Sequence, residues 1–278
     1  MKIVVFQPGY PAAGTLAIAA ECMAWMSAEL ARLTPGEADL VLLPEYANTP
    51  GLDDPTLLRA CADELGRSFL LTVAATAGRL QCLVAVGVIT HELGQWFNRT
   101  LVFNRSGQAG CHYDKIHLTE VEETHLGLTP GSGSAFHRHG DLRLGFATCF
   151  DQYFSEHFAA LASLRPDLIL CPSYQRSESA GRIRTLAQAR ALDTGSYLIR
   201  SAYAMIGAAT GGHSLVAAPN GSGLMDTGET PGGSHLEIDL DLKFTKPASH
   251  GQPPLDHRSL IEARRRPDTY RRETGNNE

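Results

Sequence analysis

Leu40-Val41-Leu42-Leu43-Pro44-Glu45-Tyr46 is an apolar run that stops on a proline and then a carboxylate. A short aliphatic run closed by Pro reads as a strand buried on both faces. Residues 39–43 form the predicted strand, so Glu45 stands just past its end. The same figure recurs along the chain. Residues 142–148 form a predicted strand that delivers Cys149. Residues 167–171 form another, ending at Pro172, and residues 109–113 form one that ends just before Lys115. Residues 3–6, 83–90, 100–104 and 197–203 complete the set, with a hairpin turn at Asn104-Arg105-Ser106-Gly107.

Amphipathic stretches lie between these runs. Residues 15–33 repeat apolar positions at steps of three and four, and Asp53-Asp54-Pro55 carries the acidic residues and proline of a helix start. Residues 155–164 and 179–194 are predicted helices too. Residues 212–218, 223–227 and 235–240 predict a final antiparallel set, and His137 and His139 are read as loop residues. Strands alternating with helices imply a sheet-rich α/β fold with helices outside.

The chain has 278 residues, 43% of them hydrophobic and 19% charged, with a net charge of -6. That suits a chain able to bury a large core without disulfides. A mildly acidic balance gives no reason to expect nucleic acid or an anionic membrane as partner. The six cysteines lie at least about twenty residues apart, with no CxxC or metal-finger spacing, so they read as buried free thiols of a cytoplasmic protein. The amino terminus is too short in its apolar part for a signal peptide, and no apolar run reaches a membrane span. Residues 1–250 are expected to form one domain. Residues 251–278 form a charged tail, including Arg264-Arg265-Arg266, that is either disordered or docked on a partner subunit.

Glu45, Lys115 and Cys149 share one property: each follows a predicted strand, where α/β sheets gather their active sites. Together they suit nucleophilic catalysis. A carboxylate takes the thiol proton, the thiolate attacks an electrophilic carbon, and an ammonium with the backbone N–H of Phe150 receives the charge that develops. Taken singly, each also has an ordinary reading as a cap, a surface lysine or a small core residue. Spacing alone does not separate the two.

The surrounding segments do. Leu42-Leu43-Pro44-Glu45-Tyr46, Tyr113-Asp114-Lys115-Ile116-His117-Leu118 and Gly145-Phe146-Ala147-Thr148-Cys149-Phe150-Asp151 resemble, in order, the three motifs of the nitrilase superfamily of carbon–nitrogen hydrolases. Phe97-Asn98, Thr129-Pro130-Gly131, Ala189-Arg190-Ala191-Leu192-Asp193 and Gly212-His213-Ser214 resemble weaker family features. The resemblance implies a four-layer α-β-β-α sandwich, no metal, no cofactor, and a homodimer or higher homo-oligomer paired through the late helices. It implies Glu45 as general base, Lys115 as binder of the tetrahedral intermediate and Cys149 as nucleophile. A further Glu is expected after the lysine, and two registers compete: Glu122, which is preferred, and Glu123.

Tyr46 and Tyr174 flank strand ends and are expected to line the pocket. The chain departs from the family pattern at Phe150, where Tyr or Trp is common. It departs again at Phe154-Ser155-Glu156, and at Arg200-Ser201, where an Asn is common. Arg200 therefore becomes a candidate for binding a substrate carboxylate. The expected activity is hydrolysis of a small amide through a thioester. A nitrilase, a non-catalytic binding protein of the same fold, and a redox sensor using Cys149 or Cys171 are the alternatives.

Overall fold

In the computed structural model, which describes residues 1–269, the apolar runs become strands. β1 (Lys2–Gln7), β2 (Leu40–Leu42) and β3 (Leu83–Glu92) run parallel at the heart of one sheet. β4 (Gln95–Phe103) and β5 (Ala109–Asp114) extend it antiparallel on one side, and β12 (Gly232–Glu237) closes it against β1 on the other. The second sheet repeats this plan. β7 (Leu142–Phe146), β8 (Leu168–Pro172) and β9 (Tyr197–Ser201) are parallel, flanked by antiparallel β6 (Phe136–His139) and by β10 (Leu215–Ala217) with β11 (Gly223–Asp226).

The sheets face one another, with β1 and β2 against β9 and β3 against β8. Helices cover the outer faces: α1 (Leu16–Arg32), α2 (Pro55–Asp63) and α3 (Leu65–Leu80) on the first sheet, α4 (Ser155–Leu164) and α5 (Ala180–Thr194) on the second. This is the four-layer α-β-β-α arrangement. It explains why the strands read as unbroken apolar runs. Val4, Phe6, Val41 and Leu43 pack under helices, while the alternate residues Ile3, Val5, Leu40 and Leu42 are buried on the opposite face. The helices begin where side chains cap them. Thr15 accepts the Ile18 N–H, Asp54 those of Thr56 and Leu57, and Ser179 that of Arg182.

Two expectations are corrected here. Residues 212–240 do not form one antiparallel set: β10 and β11 stay in the second sheet, while β12 crosses to pair with β1. Gln7 pins this crossover through its Nε2, which donates to the Gly228 and Thr230 carbonyls. Gly233 lets the strand lie on Phe6, where a Cβ would come within 2.9 Å of the ring. His137 and His139 are not in a loop but on edge strand β6, paired with Leu144 and Leu142.

The described residues form one unit, Met1–Leu240, and a second that begins at Asp241. In the second unit β13 (Thr245–Lys246) pairs with β14 (Leu255–Asp256), and α6 (His257–Arg264) starts where Asp256 accepts the Ser259 N–H. The tail was expected to be either disordered or docked on a partner subunit; residues 270–278 of it lie outside the described residues. All six cysteines are free thiols; Cys111 is half-buried and the other five are buried. Among the described residues no helix is long and apolar enough to cross a membrane.

Candidate active site

Glu45 leaves β2 over a glycine. A Cβ on Gly87 of β3 would sit 2.5 Å from the Glu45 Cα, so only glycine lets the two backbones meet. Pro44 O accepts the Gly87 N–H at 3.1 Å, and Tyr46 then turns the chain with φ 57°. Lys115 follows β5 and is tied to β4 by its N–H to the Asn98 carbonyl, 2.8 Å. Cys149 follows β7 with φ 48°, a left-handed conformation costly for a side chain with a Cβ. The next residues, Cys149–Tyr153, form a tight 3₁₀ turn. Thr148 N–H donates to Asp151 Oδ2 at 2.7 Å, and the Thr148 side chain accepts the N–H of Asp151 in return.

Asp151 is fully buried and reaches across the layers. Its Oδ2 accepts the Tyr113 hydroxyl at 2.8 Å, and its Oδ1 accepts the His117 N–H at 3.1 Å and pairs with His117 Nδ1 at 2.7 Å. The segment that carries Lys115 is thereby fastened to the turn that carries Cys149. The Thr100 and Thr148 hydroxyls, 3.1 Å apart, add a second tie.

Around one cavity of about 270 Å³ stand Glu45, Lys115, Glu122 and Cys149, with Tyr46, Leu52, Thr119, Val121, Leu126 and Tyr174 as walls and Asp53 with Arg176 at the exposed edge. Lys115 Nζ donates to Glu45 Oε1 (2.9 Å) and to both oxygens of Glu122 (2.9 and 2.8 Å). Asn98 Nδ2 donates to Glu45 Oε1 and to Glu122 Oε1, each at 2.7 Å. Glu122 also accepts the Tyr46 hydroxyl at 3.0 Å, and the Thr119 N–H and hydroxyl at 2.8 and 3.0 Å. Both oxygens of Glu122 are therefore fully engaged. Glu45 differs: its Oε2 is buried and has no hydrogen-bond partner among the described residues.

The charges follow. Burial raises Glu45, and the neighbouring Glu122 adds to this against the pull of Lys115. Glu122 goes the other way: Lys115 and the donors around it overcome burial and hold it below the ordinary carboxylate range. Burial disfavours the Lys115 ammonium, but the two carboxylates outweigh it and raise the lysine. Burial, then the Glu45 charge, push the Cys149 thiol well up, while Lys115 and the Tyr174 backbone N–H pull it down. The site thus pairs Lys115 with Glu122, while burial raises the proton affinity of both Glu45 and the Cys149 thiol.

Of the residues singled out in the sequence, Glu45, Lys115, Cys149, Glu122, Tyr46 and Tyr174 meet at this cavity. Glu123 points to solvent one residue away on the same single π-helical turn, Val121–His125. The Phe150 ring packs on Tyr153 and Phe154 instead of lining the cavity. Arg200 also stands apart. It lies on central strand β9, paired with Cys171 and Leu215, and is fully buried. Its Nη1 donates to the Gly212 and His213 carbonyls, and its Nη2 to Gln175 Oε1. A guanidinium spent on backbone carbonyls inside the sandwich is not presented to a ligand. Sequence reasoning passed over Thr119 and Arg176, and met Asn98 only within the weaker family feature Phe97-Asn98. Asn98 shares the buried side of β4 with Thr100 and Val102.

The model of the carbon–nitrogen hydrolase family matches residues 8–247. The chain is 28% identical over 244 residues to the deaminated glutathione amidase of Synechocystis sp., covering 81% of this chain and 87% of that protein. It is 25% identical over 184 residues to the deaminated glutathione amidase of Dictyostelium discoideum, covering 59% of this chain and 60% of that one. In fold it resembles a mutant of an amidase from Nesterenkonia, of the nitrilase superfamily. The TM-score is 0.76 over 98% of this chain and 96% of the other, and at 19% identity the likeness bears on fold alone.

Proposed function

Because this chain belongs to the carbon–nitrogen hydrolase family and hydrolyses carbon–nitrogen bonds other than peptide bonds, we propose that it is an amidase acting on a small amide through a thioester on Cys149. The observation that carries this reading is the unpartnered, buried Oε2 of Glu45, beside a fully bonded Glu122. One carboxylate is an anchor, and the other keeps an oxygen for a proton.

Glu45 Oε2 takes the thiol proton. The sulfur bonds to the amide carbon, and the carbonyl π electrons move onto oxygen. The Lys115 ammonium and the Phe150 N–H stabilise that oxyanion; one such donor is worth about 3–4 kcal/mol in the transition state. As the intermediate collapses, the C–N bond breaks and Glu45 gives its proton to the leaving nitrogen. Glu45 then takes a proton from water as its oxygen adds to the thioester. The C–S bond breaks, the acid leaves, and Cys149 recovers the proton from Glu45. Lys115 keeps its proton throughout, which fits its raised pKa.

A nitrile would react at the same sulfur through a thioimidate. The relatives' names favour the amide, and an ammonia assay on matched amide and nitrile pairs separates the two. The central test is Cys149→Ala. Ammonia release from small amides falls on the order of a millionfold, the scale expected when a nucleophile is removed, and no acyl adduct appears by intact-mass spectrometry. A folded Cys149→Ala protein that hydrolyses amides within tenfold of the natural chain sinks the proposal.

A further inference from the structure

The cavity is lined by two cations, and the reaction uses one of them. Lys115 is buried and hydrogen-bonded to the two carboxylates. Arg176 is the other, at the exposed edge. Its guanidinium lies 5.2 Å from the centre of the Tyr174 ring, and its Nη1 donates to the Tyr10 hydroxyl at 3.2 Å. Tyr10 and Tyr174 pack on each other at 5.7 Å, and Tyr174 on Tyr46 at 5.4 Å. A stack of rings therefore runs from the wall beside Glu45 out to Arg176 and holds the guanidinium at the mouth. The Tyr10 hydroxyl is its one hydrogen-bond partner among the described residues, which leaves most of its donor fork for another acceptor. Asp53 shares this edge, and its charge acts on Arg176 without an ion pair within 4.0 Å.

The depth of the cavity selects what that acceptor is. Glu45 and Glu122 lie at the floor, so a substrate carboxylate placed there meets two like charges in a poorly solvated space. At the mouth it meets an exposed guanidinium suited to bidentate pairing. We infer that Arg176 reads a carboxylate at the non-reacting end of the substrate, so that the amide this enzyme cleaves is carried by a small organic acid. The inference rests on the amidase reading above. It moves the carboxylate-binding role expected of Arg200 to a residue that reaches the cavity.

Succinamate and butyramide, amides of similar length with and without a terminal carboxylate, test it. The natural chain has the higher kcat/KM on succinamate. In Arg176→Ala the succinamate-to-butyramide ratio falls about 10- to 100-fold, the worth of one charge-assisted pair. The loss lies in the KM for succinamate, because the contact is remote from the reacting carbon. Arg176→Lys restores part of the ratio, and added salt lowers the ratio in the natural chain. A ratio unchanged in Arg176→Ala, or a natural preference for butyramide, overturns the inference and leaves the amidase reading standing. If neither amide yields ammonia or an acyl adduct on Cys149, the amidase reading fails and this inference falls with it.

Discussion

At the scale of single residues, two glutamates share a lysine and an asparagine yet differ in what they can do. Glu122 collects donors on both oxygens and is held ionised, whereas Glu45 has one oxygen satisfied and one left over. In the proposed mechanism Glu45 must be ionised to accept the thiol proton. Its pKa is raised, so kcat/KM should fall with decreasing pH at a midpoint above the ordinary glutamate value of about 4.3. Glu122 is one of the causes of that rise. Replacing it by Gln removes a negative neighbour and leaves the lysine's charge to Glu45, so the acid limb of the pH profile should move down. The rate should also drop about a hundredfold as Lys115 loses its anchor. A limb that stays in place or moves up in Glu122→Gln argues that another group titrates.

At the scale of elements, the site depends on how closely strands approach. Gly87 on β3 and Gly78 on α3 give opposite expectations for one substitution. A Cβ at Gly87 meets the Glu45 Cα at 2.5 Å and the Pro44 carbonyl at 2.9 Å, so the backbone carrying Glu45 must shift. Gly87→Ala should cost about 1–3 kcal/mol of stability and most of the activity. A Cβ at Gly78 finds nothing closer than 3.5 Å. Gly78→Ala should leave activity intact and stabilise the fold by up to about 1 kcal/mol, the helical preference for Ala over Gly. Urea midpoints and ammonia assays on the pair decide this. Equal outcomes at the two glycines would mean that the Glu45 loop is not held by β3.

At the scale of the whole unit, Asp151 clamps one sheet to the other. Burial pushes its carboxyl up, but the His117 hydrogen bond, the His157 charge and the Thr148 N–H together hold it below the ordinary aspartate range. A folded pKa below the unfolded one stabilises the fold above the unfolded value, about 3.9, and that stability is lost as pH falls from there through the folded value. Asp151→Asn should therefore cost roughly 3–5 kcal/mol at pH 7, where it breaks a buried charged network, and less near pH 3. Chemical denaturation at the two pH values measures this. A cost that is the same at both would show that the carboxylate charge is not what joins the sheets.

Which side chains are proposed to react was legible in the chain itself. An apolar run that ends on Pro44-Glu45, another on Cys149 and a third before Lys115 place their residues at strand ends, because strand length and burial are written in local hydrophobic pattern. The central parallel strands and the helix starts at Thr15, Asp54 and Ser179 follow from the same short-range rules. Tertiary structure alone decided three matters. Glu122 is chosen over Glu123 because a single turn aims one carboxylate at Lys115 and its neighbour at water. β12 joins β1 because the partner of an edge strand lies hundreds of residues away in sequence. Arg200 is withdrawn into the sandwich while Arg176 faces the cavity, since the direction of a guanidinium depends on which carbonyls and rings the fold brings to it. Local pattern sets what each segment becomes; packing between distant segments sets which of its atoms are left free.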